Sequence, residues 1–360
     1  MPVRHSLSTA AASAALIVVA SARAQWTVTR LNPPGAETAA AYGATGAQQV
    51  GYARVGQRNH ASLWNRTAGS WVDLNPAGTT GSIAYAAGRS QQVGAAAIGL
   101  NDVHASLWTG TAASWIDLNP AGSTESYAYA TTGSRQAGYA FVGGYLRASL
   151  WSGSAASWVN LHPGAATRSV AFAASGSQQA GYVTVDGITR ASLWTGTASS
   201  CVDLNPAGAT SSGVFAMTSS HQAGHAVVGG IDRPSLWTGT AASWVDLTPP
   251  GEPSGGTVRA ASGSQQAGSV YVGGRSHASL WSGTAASWVD LHQFLPTEFL
   301  ESIAFGMSTD GLNTYVSGQG YNIVTLRTEA LLWIQPVPAP GAAGLLALGG
   351  GIALRRRRRG

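Results

Sequence analysis

Lysine is absent from this chain of 360 residues, and charge of either sign is scarce, with Asp, Glu, Lys and Arg together making up only 10%. The first absence removes any amine nucleophile for Schiff-base chemistry and any phosphate-loop lysine. Cysteine occurs once, at Cys201, so no intramolecular disulfide can form. All 20 basic residues are arginine, and seven lie at the ends, at Arg4, Arg23 and Arg355 to Arg359. Between Gln25 and Leu354, 13 arginines stand against 15 acids, a balance of −2, so the formal charge of +5 misdescribes the body. A basic footprint for nucleic acid is therefore missing. H-E-x-x-H, G-x-S-x-G and G-x-x-x-x-G-K are missing as well. Acids such as Asp186, Asp232 and Asp310 read as isolated loop carboxylates, and Asn65-Arg-Thr67 is a weak glycosylation match.

Glycine and tryptophan are plentiful, at 47 and 13 residues, and the tryptophans are spaced regularly. They recur at Trp64, Trp108, Trp151, Trp194, Trp237, Trp281 and Trp333, at spacings of 44, 43, 43, 43, 44 and 52. Seven residues further on comes a second set, Trp71, Trp115, Trp158, Trp244 and Trp288, with Cys201 in that place once. A period near 43 is the mark of a repeat architecture. Regular apolar residues supply a core that a disordered, Gly-rich chain lacks. Cys201, standing where tryptophan is usual, reads as a small buried apolar residue.

Each repeat divides into four short runs punctuated by Gly, Asn, Pro or Ser. In one unit they are Ser82-Ile-Ala-Tyr-Ala-Ala, Gln91 to Ile98, His104-Ala-Ser-Leu-Trp and Ser114-Trp-Ile-Asp-Leu. Four β-type runs per repeat match one blade of a propeller. The first run, rich in Ala, suits the crowded innermost strand, and its single large residue is Tyr42, Tyr85, Tyr129, Phe172, Phe215 or Phe305, with Arg259 breaking the pattern. The tryptophan-bearing runs belong towards the rim, filling the gaps between blades. Because the last unit ends at Trp333 without a fourth run, and the body opens on the orphan run Trp26 to Pro33, the N-terminal strand should complete the last blade. The expected fold is an all-β, seven-bladed propeller of four-stranded blades, with Val28 facing Trp333, Arg30 facing Leu331, and an exposed Arg30–Glu329 ion pair beside them.

Placing Trp64 opposite Trp71 puts Ser62 opposite Asp73 and His60 opposite Asn75, all on one face. The pattern repeats as Ser106 with Asp117, Ser149 with Asn160, Ser192 with Asp203, Ser235 with Asp246 and Ser279 with Asp290. The residue ahead of each pair is His60, His104, Arg147, Arg190, Arg233 or His277. Sevenfold geometry would keep the histidines a blade or more apart, so structural hydrogen bonding is expected of them and no metal site. No cofactor is expected.

The ends read differently from the body. Arg4 and His5 precede an apolar run from Thr9 to Ala20 and the small-residue triplet Ala22-Arg23-Ala24. This reads as a secretory signal peptide, residues 1–24, with cleavage expected between Ala24 and Gln25. The body is 25–336. The tail, 337–360, joins Val337-Pro338-Ala339-Pro340 to an apolar run ending at Leu354 and five arginines, Arg355, Arg356, Arg357, Arg358 and Arg359. Val337 to Leu354 is 18 residues, within the ~17–25 that cross a bilayer as a helix, and the arginines would hold that end in the cytoplasm.

His104-Ala-Ser-Leu-Trp and His277-Ala-Ser-Leu-Trp, each followed by an apolar-Asp-Leu segment, resemble the HAF repeats of bacterial extracellular proteins, with Ser where that family has Phe. Ala304-Phe-Gly-Met-Ser-Thr-Asp-Gly with Glu329-Ala-Leu-Leu-Trp resembles a terminal copy. The tail is similar to the PEP-CTERM sorting signal, with Ala339 in place of its acid. These resemblances imply an exported protein of the bacterial envelope, surface or matrix, handled by a sorting protease of exosortase type and held at the membrane through its tail. No common activity comes with them. Three classes stay open: a non-enzymatic binding or matrix module, with extracellular polysaccharide or a cell-surface glycan as partner; a glycan-active enzyme or lectin on a propeller; and a purely structural propeller. A cluster of unlike carboxylates, Tyr and Arg at one end of the axis would favour an enzyme, whereas the repeats read as interchangeable.

Overall fold

Seven four-stranded antiparallel sheets account for nearly all of the regular structure, and each is one blade. A computed structural model describes residues 25–337 apart from Arg89, Asn101 and Pro253. Residues 1–24, where a signal peptide is expected, and the tail beyond Val337, including Pro338, Ala339, Pro340 and Arg355 to Arg359, lie outside the described residues. Among the described residues no helix is long and apolar enough to cross a membrane.

The first blade shows the pattern. Its strands are Ala39–Thr45, Gln48–Val55, Arg58–Asn65 and Val72–Asp73, in that order from axis to rim. The outermost strand is only two residues long, shorter than the Ser-Trp-x-Asp-Leu run suggests. In the second blade Ser114 ends a 3-10 turn, Ala112–Ser114, and Trp115 caps it. The cause is the serine hydroxyl, which accepts from Thr109 N at 2.8 Å and donates to Thr111 O at 2.6 Å. Such local side-chain bonds offer the backbone an alternative to the sheet.

The Ser–Asp register holds in the first six blades, from Ser62 opposite Asp73 to Ser279 opposite Asp290, with Asn160 in place of the acid opposite Ser149. A histidine ahead of it makes a structural hydrogen bond, to the acid of the pair. His60 Nδ1 lies 2.7 Å from Asp73 Oδ2 and does not pair with Asn75. Asn75 instead accepts a bond from Ser82 Oγ of the next blade at 2.6 Å, and that same Oγ accepts Ala61 N at 3.0 Å. Ser126 with Asn119 and Ser212 with Asn205 repeat this stitch between blades.

Trp64, Trp108, Trp151, Trp194, Trp237, Trp281 and Trp333 are fully buried, and each belongs to a cluster spanning two blades. Trp108, for example, packs on Val50, Leu63 and Leu74 of the preceding blade. Two flat sheets packed face to face leave a wedge that widens outwards, and an indole there removes a large apolar area from water. Cys201 sits against Trp194 as the second tryptophans do, half-buried rather than buried; burial pushes its thiol pKa up.

The seventh blade is built from both ends of the body. Thr27–Arg30 pairs with Arg327–Pro336, with Val28 opposite Trp333 and Arg30 opposite Leu331. Closure leaves no open sheet edge between the first and last repeats. The expected ion pair differs in detail. Glu329 is only 5% exposed and is held by Asn322 Nδ2 at 3.1 Å and Thr325 Oγ1 at 2.9 Å. Arg30 Nε stands 3.6 Å from it, and the closer acid for Arg30 is Glu298.

Candidate functional site

Every inner strand carries a β-bulge at the same place, and Ala209–Met217 and Phe299–Thr309 carry a second one near their start. The register skips Tyr42, Tyr85, Tyr129, Phe172, Phe215, Arg259 and Phe305. A bulge re-aims the extra residue's side chain. The device that permits it lies on the neighbouring strand, in a Gln-x-Gly motif in the first six blades and in Val316-Ser317-Gly318 in the seventh. A Cβ on Gly51 would stand 1.9 Å from Ala40 O, and Gly94, Gly138, Gly181, Gly224, Gly268 and Gly318 repeat this clash. Without glycine there, the bulged backbone could not approach. The glutamine of the motif serves the rim: Gln92 Oε1 accepts from Gly110 N at 2.8 Å, closing the turn after Trp108.

The seven bulged side chains meet as a ring around the axis. Centroid separations are 5.6 Å for Tyr42–Tyr85, 5.0 Å for Tyr85–Tyr129, 4.9 Å for Tyr129–Phe172, 5.2 Å for Phe172–Phe215 and 5.0 Å for Phe305–Tyr42. Arg259 closes it, its guanidinium carbon 5.9 Å from the Phe215 centroid and 5.5 Å from that of Phe305. Rather than breaking the pattern, it is the seventh member and the only cation. These side chains alone line a cavity of about 280 Å³. A shallower funnel of about 170 Å³ adds the two residues after each, mostly Ala.

The electrostatics of the ring are unusual. Arg259 forms no ion pair with any described acid, and its Nε is buried without a hydrogen-bond partner. Burial lowers its pKa, while Tyr271 and Tyr42 act the other way. Stacking on two aromatic faces offsets part of the cost of desolvating it. Tyr42 is pushed up to about 12 by burial first and by Tyr52 next. Tyr85 and Tyr129 are raised for the same leading reason. Neutral phenols and one guanidinium make a donor-rich, acid-free chamber suited to an anion or a polar apolar-faced ligand.

One layer away the repeats are not interchangeable. The residue after the motif glycine is Tyr52, Ala95, Tyr139, Tyr182, His225, Ser269 or Gln319. Tyr139 donates a short hydrogen bond to Glu125 Oε1. His225 stacks on Phe215 at 5.3 Å, its Nδ1 buried without a partner. Burial lowers the His225 pKa, and Arg259 adds to this while Asp232 opposes it.

The other candidates are structural. His104 and His277 bond Asp117 and Asp290 at 2.7 and 2.9 Å, Arg190 and Arg233 bond Asp203 and Asp246, and Arg147 Nε donates to Val142 O. Among the described residues no three His, Cys, Asp or Glu side chains group as metal ligands do. Asp310 is not isolated: it accepts Tyr315 Oη at 2.8 Å, and Asn313 N leads the bonds that lower its pKa.

Neither a protein-family model nor a curated protein matches the chain in sequence. Solved structures do resemble it. A puromycin hydrolase S511A mutant complexed with PGG aligns at a TM-score of 0.53 and 13% identity, covering 81% of this chain and 53% of that one. A Mycobacterium tuberculosis puromycin-hydrolyzing peptidase aligns at 0.50 and 14%, covering 86% and 55%. The likeness is one of fold. The chain spans about half the length of each of these hydrolases, and at such identity only the propeller is common ground.

Proposed function

We propose that the protein is an exported, surface-sorted, non-enzymatic binding or matrix module whose ligand enters at the propeller axis. The observation behind this reading is the axial chamber of six aromatic side chains and one unpaired arginine, in which no described acid takes part. Glycan hydrolysis uses a pair of carboxylates across the scissile bond, and the lining offers none; recognition needs only the faces and donors it does offer. Export and sorting rest on the signal-like and tail-like ends of the sequence. The partners in this reading are an exosortase-type protease, the membrane through the tail, and an extracellular polysaccharide or cell-surface glycan.

The test is a glycan-array and cell-wall binding screen of the purified protein, with and without divalent metal, run beside Arg259→Phe. Saturable binding lost in the variant, without product release, is the expected result. Turnover of a bound glycan would favour the enzyme alternative. For export, intact mass of envelope-associated protein should show loss of residues 1–24; a full-length cytoplasmic species would overturn that part.

A further inference from the structure

The second blade departs from its neighbours beside the ring. Tyr52, Tyr139, Tyr182 and His225 each lie against the ring residue of their own blade, at centroid distances of 5.9, 6.0, 5.7 and 5.3 Å. At that position the second blade has Ala95, and two residues on it has Ala97 where the first has Arg54 and the third Phe141. Tyr85 therefore has no aromatic of its own blade against it there, and borders the space beside Tyr127, 6.3 Å away. The space left is a recess of about 320 Å³, within the ~300–1,000 Å³ of small-molecule sites.

Its walls are of two kinds. Tyr85, Tyr127 and Ile83 make an apolar side, while Arg58, Asn59 and Thr80 make a polar one at the border with the first blade. Arg54, also lining it, is neutralised by Glu37 at 3.0 Å. Arg58 has no such acid: no described carboxylate lies in ion-pair range of it, so the recess holds one uncompensated cation. A matching ligand has an apolar face for an aromatic platform, hydroxyls for amide and hydroxyl donors, and one negative charge for a guanidinium.

We propose that this recess binds one acidic sugar unit, a pyranose carrying a carboxylate, with its C–H face on Tyr85 or Tyr127 and its carboxylate at Arg58. This goes beyond the axial reading above: the recess is a second site, off the axis, with its own ligand class, and it shares with that reading only that the protein binds a ligand.

The test uses NMR titration of the whole purified protein with methyl glucuronoside, methyl galacturonoside, methyl glucoside and benzoate. At least one uronoside binds saturably, about tenfold or more tighter than the neutral glucoside, as loss of a charge-assisted contact implies. Ala95→Tyr gives the second blade the residue that three others already have, so it folds with an unchanged melting temperature and loses this binding. Should that variant misfold, Ala97→Phe fills the recess with the third blade's residue and is read the same way. Arg58→Gln lowers uronoside affinity towards that of the glucoside and leaves the glucoside alone. Three outcomes overturn the proposal: no uronoside binding by the wild type, binding that survives both filled variants, or benzoate binding as well as the uronosides. Loss of binding in Arg259→Phe but not in Ala95→Tyr also overturns it, and leaves the axial reading standing.

Discussion

At the rim, six blades repeat one arrangement: a serine such as Ser62 donates to the carbonyl two residues before it, and in four blades accepts the indole N–H of the second tryptophan at 2.8–2.9 Å. At the axis the bulge is repeated just as faithfully, yet the side chains it presents differ, as do those one layer behind. The rim must bury the same wedge between every pair of blades, so one solution serves throughout. The axis needs only small residues and a bulge; which side chain the bulge presents is left free, and Arg259 stands there desolvated, with its Nε unpaired. Uniformity marks the scaffold, and departure from it marks the places that the scaffold does not dictate.

The comparison can be broken in several ways. Deleting residues 25–33 removes the closing strand with buried Trp26 and Leu31, and should cost the most, on the order of 5 kcal/mol or more in urea unfolding. Arg30→Ala, whose side chain is 45% exposed, should cost only about 1 kcal/mol or less; equal losses would show that the ion pairs, not the strand, close the ring. Trp108→Ala and Trp194→Ala should each cost about 3–5 kcal/mol. If one is tolerated and the other not, the rim is less uniform than its geometry.

Acid should test the axis more gently. Burial holds His225, and also His162 and His292, below the ordinary histidine pKa. The unfolded chain therefore takes up protons first as pH falls, so stability is full above about 6.5 and declines as pH drops below it. His225→Gln should flatten that decline in a melting series; an unchanged slope would mean the folded protein protonates His225 freely. Smallest of all, Arg259→Phe completes the aromatic ring and should leave stability within about 1 kcal/mol of wild type, or raise it. A large loss would make Arg259 part of the scaffold and dissolve the contrast.

The blade count, the Ser–Asp register and the closing pairs Val28–Trp333 and Arg30–Leu331 were legible because each follows from a strict repeat and side-chain alternation. The ring was half legible. The large residue of each Ala-rich strand stood out, but strict alternation cannot place it on the axis, since a bulge interrupts alternation. The signal for the bulge was the glycine of Gln-x-Gly, which reads as a turn residue until its missing Cβ is set against the Ala40 carbonyl. The hydrogen-bond partner of His60 was not legible, because a long side chain reaches diagonally to Asp73, past the position directly opposite. The recess at Ala95 is a missing side chain, visible only once its neighbours in space are known.

The join between Thr27–Arg30 and the final strand also has a meaning in time. Thr27 hydrogen-bonds the carbonyl of Ile334 across 307 positions of chain, whereas the pairings within the first six blades are local. Local hairpins form quickly and distant contacts slowly, so six blades can assemble as the chain emerges while the opening strand waits, unpaired, for the last residues to arrive. Until then the molecule is an open arc with a sticky edge at each end. Completion is thus a checkpoint: a chain interrupted anywhere before Ile334 cannot finish its ring, and its exposed edges would hand it to proteases or to another copy.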